Sequence, residues 1–271
     1  MSDCTKVLVN ARKLLIYQNN SFVWRGEFIS LSSDINLTRG MNKIFAKTYD
    51  LIKKIFQDIG NIGIILKRLE WMRQKTSEDE YLYQNWQSFA SVDIEHFFVE
   101  LRSIMDYIAE IIVCTAKHPE QLPKKDISKS PSFEKIRNWA SKNPENSTKL
   151  LGKEITEVII SSNWFPHIRL IRDGLVHEGG FALVFLEPKE GILFQVYKGF
   201  RNIVNYKMIM YNDNIAYFDR FVAIYFSHLL LFLERFSKAI RSILEPKHID
   251  CKASSGCSEI IVEWMDSLIK Q

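Results

Sequence analysis

The chain has 271 residues, 46% of them hydrophobic and 25% charged, which is enough to bury a sizeable core and unlike a disordered or collagenous composition. Its 36 Lys and Arg against 32 Asp and Glu leave a formal charge of +4, too small an excess to mark a nucleic-acid-binding protein by itself. The four cysteines, Cys4, Cys114, Cys251 and Cys257, include no CxxC pair. No metal site is expected, since His248, Cys251 and Cys257 make only a partial ligand set and reduced thiols in a C-terminal turn explain them more simply.

The first residues lack the basic region, apolar stretch and small-residue cleavage site of a secretory signal. The most apolar run, 221–233, contains Ser227 and His228 and is too short to cross a bilayer. The expectation is a cytoplasmic protein with no membrane partner. Residues 1–38 are irregular in pattern, with a strand or hairpin over 22–31, where Phe22, Trp24 and Phe28 keep a period of two that Gly26 interrupts. From 41 to 73, Ile44, Phe45, Tyr49, Ile52, Ile55, Phe56, Ile59 and Ile62 recur at three and four, which predicts a long helix. Gly60 and Gly63 lie within it. With no preceding strand and no following GKS or GKT, they read as a kink or a close helix crossing rather than a phosphate loop.

A second long helix is predicted over 78–117, clearest in the stripe Ile94, Phe97, Phe98, Leu101, Ile104, Met105, Ile108, Ile111 and Ile112. Arg102 and Asp106 stand four apart beside that stripe, placed to pair with each other or to point into a cleft. Pro119 and Pro123 end the helix. Shorter helices follow over 132–141, with Ser132 as N-cap, and from 145 or 148 to 161. The next opens at 163 or 164, accepts Pro166 in its first turn and runs to Gly179-Gly180. The period then changes to two over 182–186, 191–197 and 206–211, a small β-meander. A long helix from 212 or 213 to Pro246 and an amphipathic piece over 258–270 complete the chain.

The chemistry lies in Arg172-Asp173-Gly174-Leu175-Val176-His177, on the last turns of its helix. Asp173 and His177 are four apart, so the carboxylate can hold the imidazole in one tautomer. Arg172 lies on an adjacent face. A guanidinium that steadies phosphoryl oxygens beside an imidazole that moves a proton suits phosphate chemistry; a salt-bridged surface helix is the plainer alternative. His167 and Arg169, about one turn earlier, either extend a basic strip for an RNA backbone or belong to an ordinary exposed face.

These residues resemble the motif of the HEPN superfamily of helical nucleotide-binding and RNase domains: Arg, a polar residue, a short spacer and His near the end of a core helix. Arg172, Asp173 and His177 match it with four residues between Arg and His, and Arg102-Ser103-Ile104-Met105-Asp106 resembles the Arg-Ser-x-x-Asp segment of several HEPN groups. The resemblance covers 93–244. It implies a mainly α fold, a HEPN-like helical bundle with an inserted β-meander and an N-terminal extension. Residues 1–90 would form the extension with its long helix, 91–245 the helical domain with the meander at about 181–211, and 246–271 a helical tail.

The implied activity is a metal-independent endoribonuclease without cofactor, a toxin or antiviral defence effector that cleaves RNA through 2′-hydroxyl attack. It would act as a homodimer and have an antitoxin as a further partner. Arg172 would stabilise the phosphorane, His177 would act as general base or acid, Asp173 would orient His177, and Arg102 and Asp106 would support the motif helix. Gly179 stands where a subset of HEPN toxins carries a Tyr that a partner nucleotidyltransferase modifies, which argues against that form of regulation. The alternatives are a noncatalytic HEPN module that binds a nucleotide or a protein, and a purely structural helical protein.

Overall fold

A computed structural model describes residues 3–18, 21–123, 127, 131–177, 182–187, 191–196, 208–247 and 255–270, of which 174–177 and 187 are described by their backbone only. The chain opens with α1 (Asp3–Arg12), the hairpin β1 (Leu15–Gln18) and β2 (Ser21–Trp24), and α2 (Glu27–Thr38). Residues 22–31 are thus a strand followed by a helix, and Phe22 and Trp24 belong to one element while Phe28 belongs to the next. Helix α2 begins at Gly26, which has no side chain to cap it. Its first amides instead donate to the Glu234 carboxylate, from Glu27 at 2.5 Å and from Phe28 at 3.3 Å, satisfying donors that a helix start leaves open.

Two long helices follow, α3 (Lys43–Lys75) and α4 (Glu80–Thr115). The Asn42 side chain accepts the Ile44 amide at 2.8 Å and the Asp79 side chain accepts the Leu82 amide at 2.9 Å, so each helix starts at a local cap. The short turn between them leaves an antiparallel hairpin. Gly60 and Gly63 lie inside uninterrupted helix, and a side chain at Gly63 would meet Ser258 at 3.5 Å, so the close crossing is with the C-terminal segment.

Four shorter helices come next: α5 (Phe133–Lys142), α6 (Pro144–Leu151), α7 (Lys153–Ile160) and α8 (Phe165–His177). Ser132 caps α5 by accepting the Lys135 amide at 3.4 Å. The single helix expected between 145 and 161 is divided at Gly152, whose φ of +93° suits glycine and stops α6. Strands β3 (Val184–Glu187), β4 (Gly191–Gln195) and β5 (Ile215–Tyr217) form an antiparallel sheet in that order. The expected third strand, 206–211, is partly outside the described residues, and within them it makes only an isolated bridge from Met210 to Ala216. The Asn212 side chain accepts the amides of Asn214 and Ile215, both at 3.0 Å, and turns the chain back so that 215–217 pairs with β4 instead.

Helix α9 (Phe218–Leu244), strand β6 (Ser255–Cys257) and α10 (Glu259–Ile269) close the chain. The ten helices and six strands among the described residues make a mainly α fold with two small antiparallel sheets. Helix α9 lies at its centre, with Phe221, Tyr225, Phe226 and Phe236 buried on it. Phe194 of β4 packs against Phe98, Phe218 and Phe221, which seats the second sheet on the helical core.

One apolar cluster runs through the segments read as 1–90, 91–245 and 246–271. Strand β6 pairs with β2, from Phe22↔Cys257 to Trp24↔Ser255. Arg12 reaches Asp266 at 2.7 Å. Arg241 of α9 engages Glu27, the fully buried Asp34 (2.5 Å) and Ser30 Oγ (3.2 Å) of α2. Helix α8 packs on α4, and Trp164, the residue just before it, lies beside Phe232 of α9 with ring centres 6.1 Å apart. Among the described residues no helix is long and apolar enough to cross a membrane.

Candidate functional site: an arginine cluster on Asp173

Helix α8 is anchored through Ile168 and Ile171, both buried, which turns Arg169, Arg172 and Asp173 towards α4 and α5. Three guanidiniums converge on the one carboxylate. Asp173 Oδ1 accepts Arg172 Nη1 at 3.1 Å and has Arg102 Nη1 of α4 at 3.9 Å, while Asp173 Oδ2 accepts Arg169 Nε at 3.0 Å. Arg102 also stands 3.5 Å from Asp106 Oδ2. Asp106 Oδ1 accepts the amide of Phe133, the first residue of α5, at 3.2 Å, so Asp106 holds the start of α5 beside the cluster. Arg169 reaches in addition to Glu134 of α5.

Four of the five residues singled out by sequence, Arg102, Asp106, Arg172 and Asp173, therefore meet in one network spanning α4 and α8. The fifth, His177, is the last residue of α8, and its side chain is outside the described set. Both Asp173 oxygens are engaged by guanidiniums, and three cations, Arg102, Arg169 and Arg172, stand against three anions, Asp106, Glu134 and Asp173. Arg172 is 21% exposed, which leaves a limited face to solvent. Glu134 is not foreseeable, because its link to Arg169 crosses between helices and its own sequence marks only the first turn after the Ser132 cap.

His167 does not extend a basic strip. Its Nδ1 lies 2.8 Å from the Tyr225 hydroxyl of α9, and burial, with Arg137 nearby, pushes its pKa down to about 4. His228 of α9 stacks on Trp164 with ring centres 5.9 Å apart, and burial and then His167 likewise push it down to about 4. Two neutral imidazoles thus line the contact between α8 and α9, on the inner side of the motif helix. Arg169 is exposed, but its charge is already engaged by Asp173 and Glu134.

The residues after the motif return to α4, where the Ala182 amide donates to Glu95 Oε1 at 3.2 Å. His248, Cys251 and Gly179-Gly180 lie outside the described residues, and among those described no three His, Cys, Asp or Glu side chains are grouped to hold a metal ion. A separate acidic pair sits between α3 and α4. Asp58 and Glu100 are both buried, and Glu100 Oε1 accepts Asn61 Nδ2 at 3.1 Å with His96 Nε2 also at 3.1 Å. Burial, and then the Glu100 charge, raise the Asp58 carboxyl from 3.8 to about 7.

No protein-family model, curated protein or solved structure matches the chain.

Proposed function

We propose that the chain is a HEPN-like endoribonuclease, a toxin or antiviral defence effector, that cleaves RNA without a metal by attack of the 2′-hydroxyl on the neighbouring phosphorus. The observation that carries this reading is the convergence of Arg102, Arg169 and Arg172 on Asp173, one helical turn before His177. A phosphodiester is a second anionic acceptor for guanidinium groups already gathered in one place. In this reading Arg172 steadies the phosphorane oxygens, and His177 takes the 2′-hydroxyl proton as the oxygen bonds to phosphorus. The bond to the 5′-oxygen then breaks, and a protonated imidazole, from the same or a second copy, supplies the proton that the leaving oxygen needs. The products are a 2′,3′-cyclic phosphate and a 5′-hydroxyl. Asp173 keeps the three guanidiniums in register, and Arg102 and Asp106 hold α4 and α5 against the motif helix.

The test is cleavage of a mixed RNA substrate in chelator, with the product ends analysed for cyclic phosphate. Arg172→Ala and His177→Ala should each reduce cleavage by about 10²-fold or more with the fold intact, and Asp173→Asn by less. Unchanged cleavage by His177→Ala would sink the reading. A second reading, a noncatalytic module that binds a nucleotide or a protein, is favoured by the small exposed face of Arg172 and its engagement with Asp173. A folded wild-type protein that binds nucleotide or RNA without cutting any RNA in a broad panel would support it.

A further inference from the structure

The turn between α2 and α3 brings aliphatic and cationic side chains together in water. Residues 39–44 are exposed at every position. A segment lying against a core shows only one side, so this one projects from the body. Leu37, Met41 and Ile44 are 57%, 67% and 39% exposed. Arg39, Lys43 and Lys47 stand among them, and residues 35–49 contain no Asp or Glu. Asp34, just before this stretch, is fully buried and held by Arg241. The next acid along the chain, Asp50, is followed by Lys53 and Lys54.

These cations are not neutralised inside the chain. Among the described residues neither Arg39 nor Lys43 forms an ion pair. Lys47 is 3.9 Å from Glu110 and 55% exposed, a contact that solvent largely screens. Lys43 also fills the first turn of α3, which holds no acidic residue, although a helix start favours a carboxylate there. The turn therefore presents charge of one sign and is complementary to an anionic partner.

The uncharged side chains decide which anion. Both rings of this stretch, Phe45 and Tyr49, pack against the core, and Arg39 lies over Tyr49 at 5.0 Å from the ring centre. A nucleic-acid strand gains from exposed rings on which its bases stack, whereas the exposed groups here are aliphatic. A lipid surface suits both kinds of group: its headgroups meet the cations, and the boundary between headgroups and acyl chains takes the aliphatic tips. We infer that the α2–α3 turn docks the chain on an anionic lipid surface, with Leu37 and Met41 entering the headgroup layer and Arg39, Lys43 and Lys47 on the lipid phosphates. Such a contact lies on the surface and needs no spanning helix. It uses none of the arginine-cluster residues and stands whether or not RNA is cut.

The full chain is floated with phosphatidylcholine vesicles containing about 30% phosphatidylserine, and with phosphatidylcholine vesicles alone. It should bind the anionic vesicles only, and less as salt rises from about 50 to about 500 mM. A cation at an anionic surface contributes about fivefold in affinity, so Lys43→Glu, which removes one and adds an opposite charge, should weaken binding about 25-fold. The same substitution should raise the melting temperature slightly, because a carboxylate suits the first turn of α3, which separates lost binding from lost fold. Met41→Asp should weaken binding at least about tenfold with an unchanged melting curve. No flotation with anionic vesicles at low salt, equal binding to neutral ones, or wild-type binding by either variant would each overturn the inference. So would a chain that ignores vesicles but binds single-stranded RNA through Lys43, which would give the turn to RNA. RNA cleavage is read separately, so failure here leaves the proposed activity untouched.

Discussion

Replacing Asp58 by asparagine should flatten part of the pH dependence of stability. Asp58 is 7% exposed and faces Glu100 across the α3–α4 contact, with Lys54 and Tyr107 close by and with Asn61 and His96 on Glu100. Its carboxyl is raised from 3.8 to about 7, so between those values the folded chain keeps a proton that the unfolded chain has lost. The contribution is fully present below about pH 4 and disappears as pH rises through 7. Each pH unit in that window costs about 1.4 kcal/mol, and the whole window about 2–4 kcal/mol once water entry and helix relaxation are allowed for. The Asp58→Asn substitution puts a neutral amide at this place at every pH and removes the loss. Urea denaturation at a series of pH values from about 4.5 to about 8.5 measures it: Asp58→Asn should gain on wild type by that amount as pH rises. Parallel stability curves for the two proteins would refute the idea that the pair shares a proton.

Two other perturbations follow from buried groups. Arg241→Ala takes a guanidinium partner from Asp34, which is fully buried, and should cost about 3–5 kcal/mol by urea denaturation, with Arg241→Ala/Asp34→Asn recovering much of the loss. His167 and His228 are both held down at about 4, so their contribution is present above the usual imidazole value of 6.5 and is lost as pH falls towards 4. With Arg137 and Tyr225 facing them unchanged, His228→Phe should flatten the acid limb of the stability curve, and an unchanged limb would show that the imidazoles do not set it.

The long helices are legible in the sequence because their apolar stripes and their caps are both local: Asn42 and Asp79 sit one residue before α3 and α4. Helix α2 is not, because its cap is Glu234, contributed from α9, and nothing beside Gly26 announces it. Gly152 breaks α6 from α7 through a backbone conformation that the apolar pattern does not encode. At the site, the spacing of Arg102 and Asp106 and the order of Arg172 and Asp173 are readable along the chain. The bonds that gather them, Arg102 to Asp173 and Arg169 to Glu134, cross between helices and depend on tertiary packing. The burial of His167 escapes the sequence for the same reason, since its partner Tyr225 lies on α9.

The pairing of β2 with β6 also has a consequence for synthesis. Phe22 leaves the ribosome well before its pairing partner Cys257, and at about 5–20 residues per second the interval is on the order of 10–50 s. During that time β2 can pair only with β1, and its other edge presents unpaired amides and carbonyls next to Phe22 and Trp24. The Glu234 carboxylate that starts α2 arrives almost as late. The N-terminal quarter of the chain thus waits for the C-terminal helices, and a nascent chain stalled before α9 would display a sticky strand edge for chaperones, or for other nascent chains, to find.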